Sequence, residues 1–268
     1  MISSRMGLQF YFMDHMKNPF AAFNIEHLSP SSCNQWAASP AMFLLQRVAK
    51  RNGAPVGAGA FRGSAVEAGI SHGLVNPTAS LSDCVGRAIS EFRTLSSLST
   101  DPRADKELAS LEGMVTEGLK ALRPYGPPTA VQGAVKHHVE GLAVPLVGFF
   151  DFQFGDTIVD LKTTHAIPAS KGISTAHARQ VSLYVAATDG VAQGRVAYVS
   201  SKKSETFQLE QAADHLAALE KIALTIQKFL SISDDPVELC SYLTPDIDSF
   251  YVGSDPITRQ TVFELFKV

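Results

Sequence analysis

The sequence predicts an α/β or α+β fold, in which a core of β-strands carries added helices at the N-terminus and in the middle of the chain. Two observations lead to this fold class. A meander of short apolar strands occupies residues 130–163, and helix-forming segments lie on both sides of it along the chain. The composition of the 268 residues, 45% hydrophobic and 18% charged, is that of an ordinary globular protein.

The first half of the chain is predicted to be mostly helical. Ser29 is a natural N-cap residue and Pro30 suits the first helical position, so a helix is expected over residues 31–36. Apolar residues at helical spacing predict the helices that follow. The predicted helices are residues 40–50, residues 62–72, and two helices within residues 80–123 that are separated near Pro102. A Gly/Ala/Pro loop at residues 52–60 joins the first two of these helices.

The second half is predicted to contain the strands of the sheet and the helices that follow them. Alternating and continuous apolar runs indicate the strands, and longer amphipathic runs indicate the helices. The expected strands are residues 130–139, 143–154, 157–163 and 195–200, and the expected helices are residues 175–188, residues 208–231, and a last helix from about Pro256 within the tail 232–268.

A hairpin at residues 148–163 is the most informative segment of the chain. A two-residue turn at Gly155-Asp156 sets a register that places Asp151 opposite Asp160. Lys162 lies two residues beyond Asp160 and therefore points to the same face of the sheet. Like charges that face each other on a sheet cost up to ~1 kcal/mol per pair, so the pattern indicates that both carboxylates have a use.

Two interpretations of this hairpin stay open. In the first, Asp151 and Asp160 hold a divalent metal ion through oxygen ligands, and Lys162 handles a water molecule or a phosphate. In the second, both aspartates are solvated and Lys162 is their salt-bridge partner, with no function. The apolar strands around these residues favour the first interpretation, because unpaired charge is costly in a buried hairpin.

Four further features are candidate parts of a site. Glu67 lies one turn into the predicted helix that follows Arg62, where it is either a third acidic ligand or an exposed residue that favours the helix dipole. Gln180 and Tyr184 are four residues apart and share a helix face, which either suits contacts to a DNA backbone or a metal-bound water or is the face of an ordinary half-buried amphipathic helix. Ser29 and Ser31 stand at a helix entry that either suits a phosphate or is a cap without further function, and Arg179 is one of several scattered basic residues that either line a phosphate track or are solvated surface.

Composition excludes little, and the motifs exclude somewhat more. A protein that coats nucleic acid is usually more basic than a net charge of −3, but one that acts on nucleic acid with metal ions need only be locally basic. The three cysteines are too widely spaced for a structural zinc site, and the chain lacks the GxxxxGK[ST] loop that ATP-driven chemistry needs. No apolar run reaches the ~18 residues of a membrane span. The N-terminal segment lacks a signal peptide's apolar region, so a cytoplasmic protein is expected.

Taken together, the motifs resemble the PD-(D/E)xK nuclease superfamily, in its RecB-like and phage-exonuclease branch. The resemblance runs from His27 to about Ser200, and five motifs in the expected order carry it. Glu67 stands where RecB-like relatives often have His and is more similar to the lambda-type phage exonucleases. The motifs are Leu28–Ser32 at the first helix, Gly63–Glu67, Gly148–Asp151, Asp160–Lys162, and Gln180–Tyr184.

The resemblance implies a restriction-endonuclease-like core, with a mixed central β-sheet flanked by helices. It implies one nuclease domain over residues 1–268, with a helical insertion at about 80–125 and a C-terminal tail at about 232–268. Its cofactors are one or two Mg²⁺ or Mn²⁺ ions. An iron–sulfur cluster is not expected, because Ser39-Pro40 stands at the position of an early Cys-Pro and Cys240 is alone in the tail.

The resemblance also assigns roles to residues. Lys162 orients or deprotonates the attacking water, or stabilises the phosphate as its phosphodiester bond is hydrolysed. The catalytic carboxylates Glu67, Asp151 and Asp160, with the backbone carbonyl of Leu161, hold the metal, and the residues that bind or position DNA are Gln180, Tyr184, Ser29, Ser31, Arg62 and Arg179.

The expected function is that of a DNA exonuclease that acts from DNA ends, in recombination, repair or phage DNA processing. DNA with ends is the expected partner, a recombination protein and further copies of the chain are candidates, and a membrane is not. A bacterial cell or a phage-infected host is the expected setting. Two alternatives stay open: a structure-specific or restriction-type endonuclease, and a nucleic-acid-binding module of the same fold without catalysis.

Overall fold

A five-stranded mixed sheet forms the centre of the protein. The computed structural model describes residues 18–51, 56–167, 172–249, 252 and 256–268. Residues 1–17, which bear on the predicted absence of a signal peptide, lie outside the described residues. The strands are β1 (Ala130–His137), β2 (Leu146–Phe154), β3 (Thr157–Thr163), β4 (Gln193–Val199) and β5 (Ser204–Gln208), and they lie side by side in this order.

The pairing of the strands makes the sheet mixed. β3 and β4 run parallel, and the remaining neighbours are antiparallel. A parallel pair needs a crossover connection, which here contains the helix Thr175–Ala186. The mixed sheet flanked by helices confirms the fold class that the sequence predicts.

The helices cover both faces of this sheet. They are named in chain order, and α2 continues directly into a π-helical turn at Leu44–Val48. The helices are α1 (Pro30–Ala38), α2 (Pro40–Phe43), α3 (Ala58–Val75), α4 (Leu81–Ser96), α5 (Ala104–Leu122), α6 (Thr175–Ala186), α7 (Ala212–Leu230), α8 (Pro236–Ser241) and α9 (Pro256–Phe266).

Two hydrophobic cores lie on opposite faces of the sheet. Ile158 and Val196 pack in one core, and their chain neighbours Val159 and Ala197 pack in the other, because successive side chains of a strand point to opposite faces. Helices α1, α6 and α7 contribute to the first core, and α3, α4 and α5 to the second. The sheet is therefore buried on both sides, as its strongly apolar strands predict.

The start of α3 differs from the prediction. The helix begins at Ala58 instead of residue 62, so Glu67 lies in its middle and not in its first turn. The Asp101 carboxylate, between α4 and α5, accepts a hydrogen bond from the Ala58 N–H at 2.8 Å. A cap that comes from 43 residues away cannot be inferred from the local Gly- and Ala-rich sequence.

Strand β5 and helix α8 are not predicted by the sequence. Strand β5 has the sequence SETFQ, which is short and polar and gives little alternation. It occupies residues that the prediction leaves as the approach to a helix at 208–231, and that helix begins only at Ala212. Of the helices in the described residues, none is long and apolar enough to cross a membrane.

Candidate active site

The hairpin between β2 and β3 has the turn that the sequence predicts. Phe154 pairs with Thr157 across the turn, and the register continues to Phe152 and Val159. Gly155 has φ +59°, a backbone conformation that glycine adopts without strain. A two-residue turn of this kind fixes the alignment of both strands.

The ladder between β2 and β3 ends one pair before the two aspartates. The described pairing stops at Phe152 and Val159, and the backbone N–H of Leu161 instead donates a hydrogen bond to Oδ2 of Asp151 at 2.6 Å. The prediction that Asp151 lies directly opposite Asp160 in the ladder is therefore corrected. The Asp151 carboxylate itself bridges the two strands.

The alternation of side chains between the two faces of β2 is interrupted at Asp151. Phe150 and Phe152 are two residues apart and would share a face in a regular strand. Phe150 packs in the core beside α6, whereas Phe152 packs in the core beside α3. Gln132, next to Val131 and Gly133 of β1, has φ +55° at the same level of the sheet. The regular ladder is therefore interrupted at the level of Asp151 in the described pairing with both neighbouring strands.

Asp160 is the most buried acidic residue of the site. Its exposure is 1%, and its Oδ1 has no hydrogen-bond partner among the described residues. Nζ of Lys162 lies 2.7 Å from Oδ2, the distance of a charge-assisted contact between an ammonium and a carboxylate. Burial raises the pKa of Asp160, and the charge of Lys162 opposes this rise only in part.

Glu67 and Asp151 share the same electrostatic environment. Burial, followed by the negative charge of Asp160, raises the pKa of Glu67 to about 6. Burial, then the charges of Asp160 and Glu67, raises the pKa of Asp151 well above its usual value. Helix α3 packs against β3, so three carboxylates from α3, β2 and β3 converge and repel one another.

Lys162 is the cation of this cluster. Burial alone would lower its pKa, but the charges of Asp160 and Asp151 outweigh burial and raise it. The ammonium group is therefore protonated at neutral pH. Asp160 and Lys162 lie on the same face of β3, as the spacing of two residues predicts.

The acidic cluster fits a divalent cation. In the part of the chain that the structure describes, no three Asp, Glu, His or Cys side chains already stand as a set of metal ligands. Oδ1 of Asp160 is nevertheless buried without a hydrogen-bond partner among the described residues, and the cluster combines three carboxylates with a single nearby ammonium. Hard cations such as Mg²⁺ prefer oxygen donors of this kind. The ligand role of the Leu161 carbonyl stays a prediction.

Gln180 and Tyr184 are positioned together on α6. Nε2 of Gln180 donates a hydrogen bond to the Tyr184 hydroxyl at 2.6 Å. Tyr184 is 2% exposed and packs edge-on against Phe150, so its ring is not free to stack on a nucleic-acid base. Burial, then the charges of Asp160 and Asp151, raises the pKa of Tyr184. The Tyr184 hydroxyl is therefore near enough to both carboxylates to be affected by their charge.

The close approach of Tyr184 explains why residue 148, just before the Phe-Phe-Asp segment, is a glycine. A Cβ atom at this position would lie 2.6 Å from Cε1 of Tyr184, closer than side chains approach. The missing side chain lets α6 approach β2, and with it Gln180 and Tyr184 approach Asp151. Glycine is required here by close packing and not by its backbone angles.

Arg62 is held inside the protein. Nη1 donates to Oε2 of Glu107 at 2.6 Å and lies 2.9 Å from Nε2 of His165, while Nη2 donates to the Thr163 carbonyl at 3.3 Å. Arg62 is 9% exposed, and Glu107 is 5% exposed. The sequence gives no signal for Glu107, which lies on α5. A DNA contact by Arg62 stays a prediction, and the observed contacts tie α3 to the end of β3.

Ser29 and Ser31 stand at the entry of α1. Ser29 caps the helix as predicted, with its hydroxyl accepting from the Ser32 N–H at 3.1 Å. The Ser29 and Ser31 hydroxyl oxygens are 2.9 Å apart. Ser31 is exposed and lines the groove described next. Contacts of these hydroxyls to a phosphate stay a prediction.

A groove of about 790 Å³ runs past Lys162, between α1, the π-helical turn that follows α2, and α6. Its described lining includes three cationic side chains, Arg47, Lys162 and Arg179, and no Asp or Glu. Nη1 of Arg179 donates to Asn34 at 3.2 Å, while its buried Nε has no described partner. Sequence reasoning misses Arg47 as a site residue.

The fold and this cluster define the class of the protein. A mixed sheet whose central hairpin brings carboxylates and a lysine together, beside a cationic groove, is the arrangement that the resemblance to the PD-(D/E)xK nucleases implies. Residues 27–242 match the family model of the PD-(D/E)XK nuclease superfamily. The chain belongs to this superfamily, which confirms the resemblance at the level of the superfamily.

One solved structure with a comparable fold supports the fold assignment. The chain is similar to a protein from Eubacterium rectale described as a "putative exonuclease", with a TM-score of 0.57 and 11% identity, over 83% of this chain and 86% of that chain. It is less similar to a structure described as SSO0001, with a TM-score of 0.34 and 13% identity, over 62% of this chain and 85% of that chain. No curated protein sequence matches the chain.

Proposed function

We propose that this chain is a divalent-metal-dependent DNA exonuclease that hydrolyses phosphodiester bonds from DNA ends. One observation carries the proposal: Glu67, Asp151 and Asp160 converge beside Lys162, and Lys162 forms part of the wall of a groove with three cations and no described acid. Membership of a nuclease superfamily supports hydrolysis of nucleic acid.

Glu67, Asp151 and Asp160, with the Leu161 carbonyl, would hold one or two Mg²⁺ or Mn²⁺ ions. A cation there would neutralise charge that builds on the phosphate and lower the pKa of a water molecule. The observed hydrogen bond from the Leu161 N–H orients the Asp151 carboxylate. The buried ion pair with Lys162 orients that of Asp160.

Lys162 acts as a fixed positive charge in this proposal. Because the neighbouring carboxylates raise its pKa, it remains an ammonium at neutral pH and does not serve as a general base. An ammonium group stabilises the negative charge that develops on the phosphate oxygens, and it orients the attacking water by hydrogen bonding. This role is one of those that the resemblance implies for the lysine.

The groove supplies the contacts to the DNA strand. Arg47 and Arg179 attract phosphates, and Ser31 and Gln180 add hydrogen-bonding groups along the same groove. Tyr184 holds the amide of Gln180 in place from the buried side. Phosphate contacts of this kind position a strand without reading its sequence.

The exonuclease assignment is finer than the family itself. We place the chain in the RecB-like and phage-exonuclease branch, acting in recombination, repair or phage DNA processing in the cytoplasm. A Glu at position 67 of α3, near enough to Asp160 for its charge to raise the pKa of Glu67, supports the lambda-type arrangement of acids. The Eubacterium rectale protein is similar in fold, and its description names an exonuclease.

The test is digestion of end-labelled linear and covalently closed circular DNA, single- and double-stranded, in Mg²⁺, Mn²⁺ or EDTA. The proposal predicts metal-dependent loss of linear DNA while circles are spared. Nicked or linearised circles would replace the exonuclease assignment by an endonuclease. Binding without cleavage in every metal would replace it by a non-catalytic module.

A further inference from the structure

His177 is a residue of the groove to which neither the motifs nor the family comparison assigns a role. It lies on α6, one turn before Gln180, and lines the groove together with Lys162 and Gln180. Its side chain is half-buried. The backbone N–H of His177 donates to the Ser174 hydroxyl, the N-cap of α6, at 3.3 Å.

The Tyr198 hydroxyl fixes the orientation of the His177 ring from the side of the β-sheet. Tyr198 lies on β4 directly beside Lys162 of β3, and it is 6% exposed. Its hydroxyl oxygen accepts a hydrogen bond from the Ser174 N–H at 3.2 Å and lies 2.7 Å from Nδ1 of His177. Helix α6 and strand β4 are thus connected by one buried hydroxyl group.

This arrangement selects one tautomer of His177. A phenol has a single proton to donate, and within the described residues Nδ1 of His177 is the one acceptor within reach of the Tyr198 hydroxyl. The Tyr198 hydroxyl accepts from the Ser174 N–H and donates to Nδ1 of His177, so these three groups all have hydrogen-bond partners. The ring proton of His177 is then on Nε2, for which the described residues provide no acceptor.

The imidazole is also held neutral. Burial, followed by the positive charge of Lys162, lowers the pKa of His177 to about 4. At neutral pH the ring is therefore not a fourth cation of the groove. It presents a single directional N–H donor beside the ammonium of Lys162.

We infer that His177 is a substrate-contacting residue, whose Nε2–H donates a hydrogen bond to a phosphate oxygen of the nucleic-acid strand in the groove, and that Tyr198 positions it. The inference rests on the proposed function, because it requires a strand in this groove. Phosphate oxygens are acceptors without donors, and the groove offers cations and donors with no described acid. A directional donor next to Lys162 fixes how the strand lies there.

Three substitutions separate this role from a structural one. In His177→Gln, the amide nitrogen reaches the position of Nε2, so the donor to the groove is kept while the bond to Tyr198 is lost. In His177→Asn, the shorter amide reaches the position of Nδ1, so the bond to Tyr198 is kept while the donor to the groove is lost. His177→Ala removes both. A residue that only ties α6 to β4 would tolerate Asn better than Gln.

His137→Gln is the matched control. His137 is also half-buried, and its Nε2 lies 2.8 Å from Glu220, away from the described lining of the groove. Two quantities are measured for each variant: the Kd of a fluorescent linear DNA oligonucleotide in EDTA, and KM and kcat for its cleavage in Mg²⁺.

The inference predicts that His177→Asn and His177→Ala raise Kd and KM about 10- to 100-fold, the effect of one hydrogen bond to a charged group. It predicts that His177→Gln loses clearly less than His177→Asn, because the donor is kept although its bond to Tyr198 is lost, that His137→Gln stays within about threefold of the unchanged protein, and that kcat changes less than KM. Wild-type affinity in His177→Ala, or equal losses in the Gln and Asn variants, overturns the inference and leaves the proposed function intact. Failure of the unchanged protein to bind any DNA overturns both.

The tautomer is tested without DNA by ¹⁵N-edited NMR of the histidine rings. The expected spectrum shows the proton of His177 on Nε2, and Tyr198→Phe is expected to mix the two tautomers. A proton on Nδ1 in the unchanged protein overturns the inference, because Nε2 would then have no hydrogen to donate.

Discussion

Nζ of Lys162 lies 2.7 Å from Oδ2 of Asp160, and this ion pair is the one described contact that compensates a carboxylate with 1% exposure. Oδ1 of Asp160 is buried with no hydrogen-bond partner among the described residues. A buried carboxylate with so little compensation is expensive. The sequence therefore maintains a destabilising group at the centre of the sheet, which is expected of a site and not of a structural ion pair.

Removing Lys162 is predicted to destabilise the metal-free protein. Lys162→Met leaves the Asp160 charge buried and unpaired, at a cost of about 2–4 kcal/mol in the free energy of unfolding. The double variant Asp160→Asn with Lys162→Met is expected to recover most of this loss, because the charge that needed a partner is gone. Urea denaturation in EDTA measures both values.

Lys203→Met is the control for this prediction. Lys203 also pairs with a carboxylate, Glu205, at 2.7 Å, but both side chains are substantially exposed. An exposed pair contributes at most about 1 kcal/mol. Equal effects of the Lys162 and Lys203 substitutions would contradict the buried, uncompensated character of Asp160.

Ionisation of Glu67 is predicted to lower the free energy of unfolding of the metal-free protein as the pH rises. Its pKa is about 6 in the folded protein, against 4.5 for the ordinary carboxyl group, so the folded state binds more protons between these values. The free energy of unfolding therefore falls as the pH rises from about 4.5 to 6. Glu67→Gln removes this dependence and is expected to stabilise the metal-free protein at pH 7 by on the order of 1–2 kcal/mol.

The measurement for Glu67 is the difference in unfolding free energy between Glu67→Gln and the unchanged protein, followed from pH 4 to pH 7 in EDTA. The difference isolates Glu67 from His177, whose pKa of about 4 acts in the opposite direction. The stabilising effect should grow with pH. A difference that is constant over this range would show that Glu67 lies outside the acidic cluster.

Gly148→Ala is predicted to destabilise the protein by about 1–3 kcal/mol, because the new Cβ atom would lie 2.6 Å from Cε1 of Tyr184. The displaced helix α6 carries Gln180 and His177, so cleavage should slow as well. Thermal unfolding and cleavage rates measure these two effects. Gly86→Ala, in the exposed middle of α4 with no atom within 4 Å, is the control and should stabilise by up to about 1 kcal/mol.

Arg62→Met is predicted to cost about 3–5 kcal/mol in unfolding free energy, since it leaves the buried Glu107 carboxylate without its guanidinium partner. Arg87→Met breaks an exposed pair with Glu91 on α4 and should cost less than about 0.5 kcal/mol. If Arg62 instead contacts DNA without a structural role, its substitution will weaken DNA binding and leave the melting temperature unchanged.

The hairpin and its charged residues could be predicted because they depend on local rules. A glycine turn and period-two alternation fix the register near Gly155, and a spacing of two puts Asp160 and Lys162 on one face. The end of the ladder at Phe152 could not be predicted from these rules. The ladder ends because the Leu161 N–H donates to the Asp151 side chain instead of to the backbone of β2. This tertiary contact is not encoded in the local sequence pattern.

Contacts between distant segments account for the remaining differences. The cap from Asp101 to Ala58 and the ion pair from Arg62 to Glu107 each join residues more than 40 positions apart. Strand β5 forms because β4 offers it an edge, and its polar sequence gives no independent signal. In each case tertiary structure decides what local propensity leaves open.

The most direct test of the account is the single-turnover cleavage of an end-labelled linear DNA duplex in Mg²⁺ by the unchanged protein, Asp160→Asn and Lys203→Met. We predict cleavage by the unchanged protein and by the Lys203 variant at similar rates. We predict a rate at least about 100-fold lower for Asp160→Asn, which should remain folded. Cleavage by folded Asp160→Asn at the rate of the unchanged protein would contradict the claim that this buried carboxylate belongs to the catalytic centre.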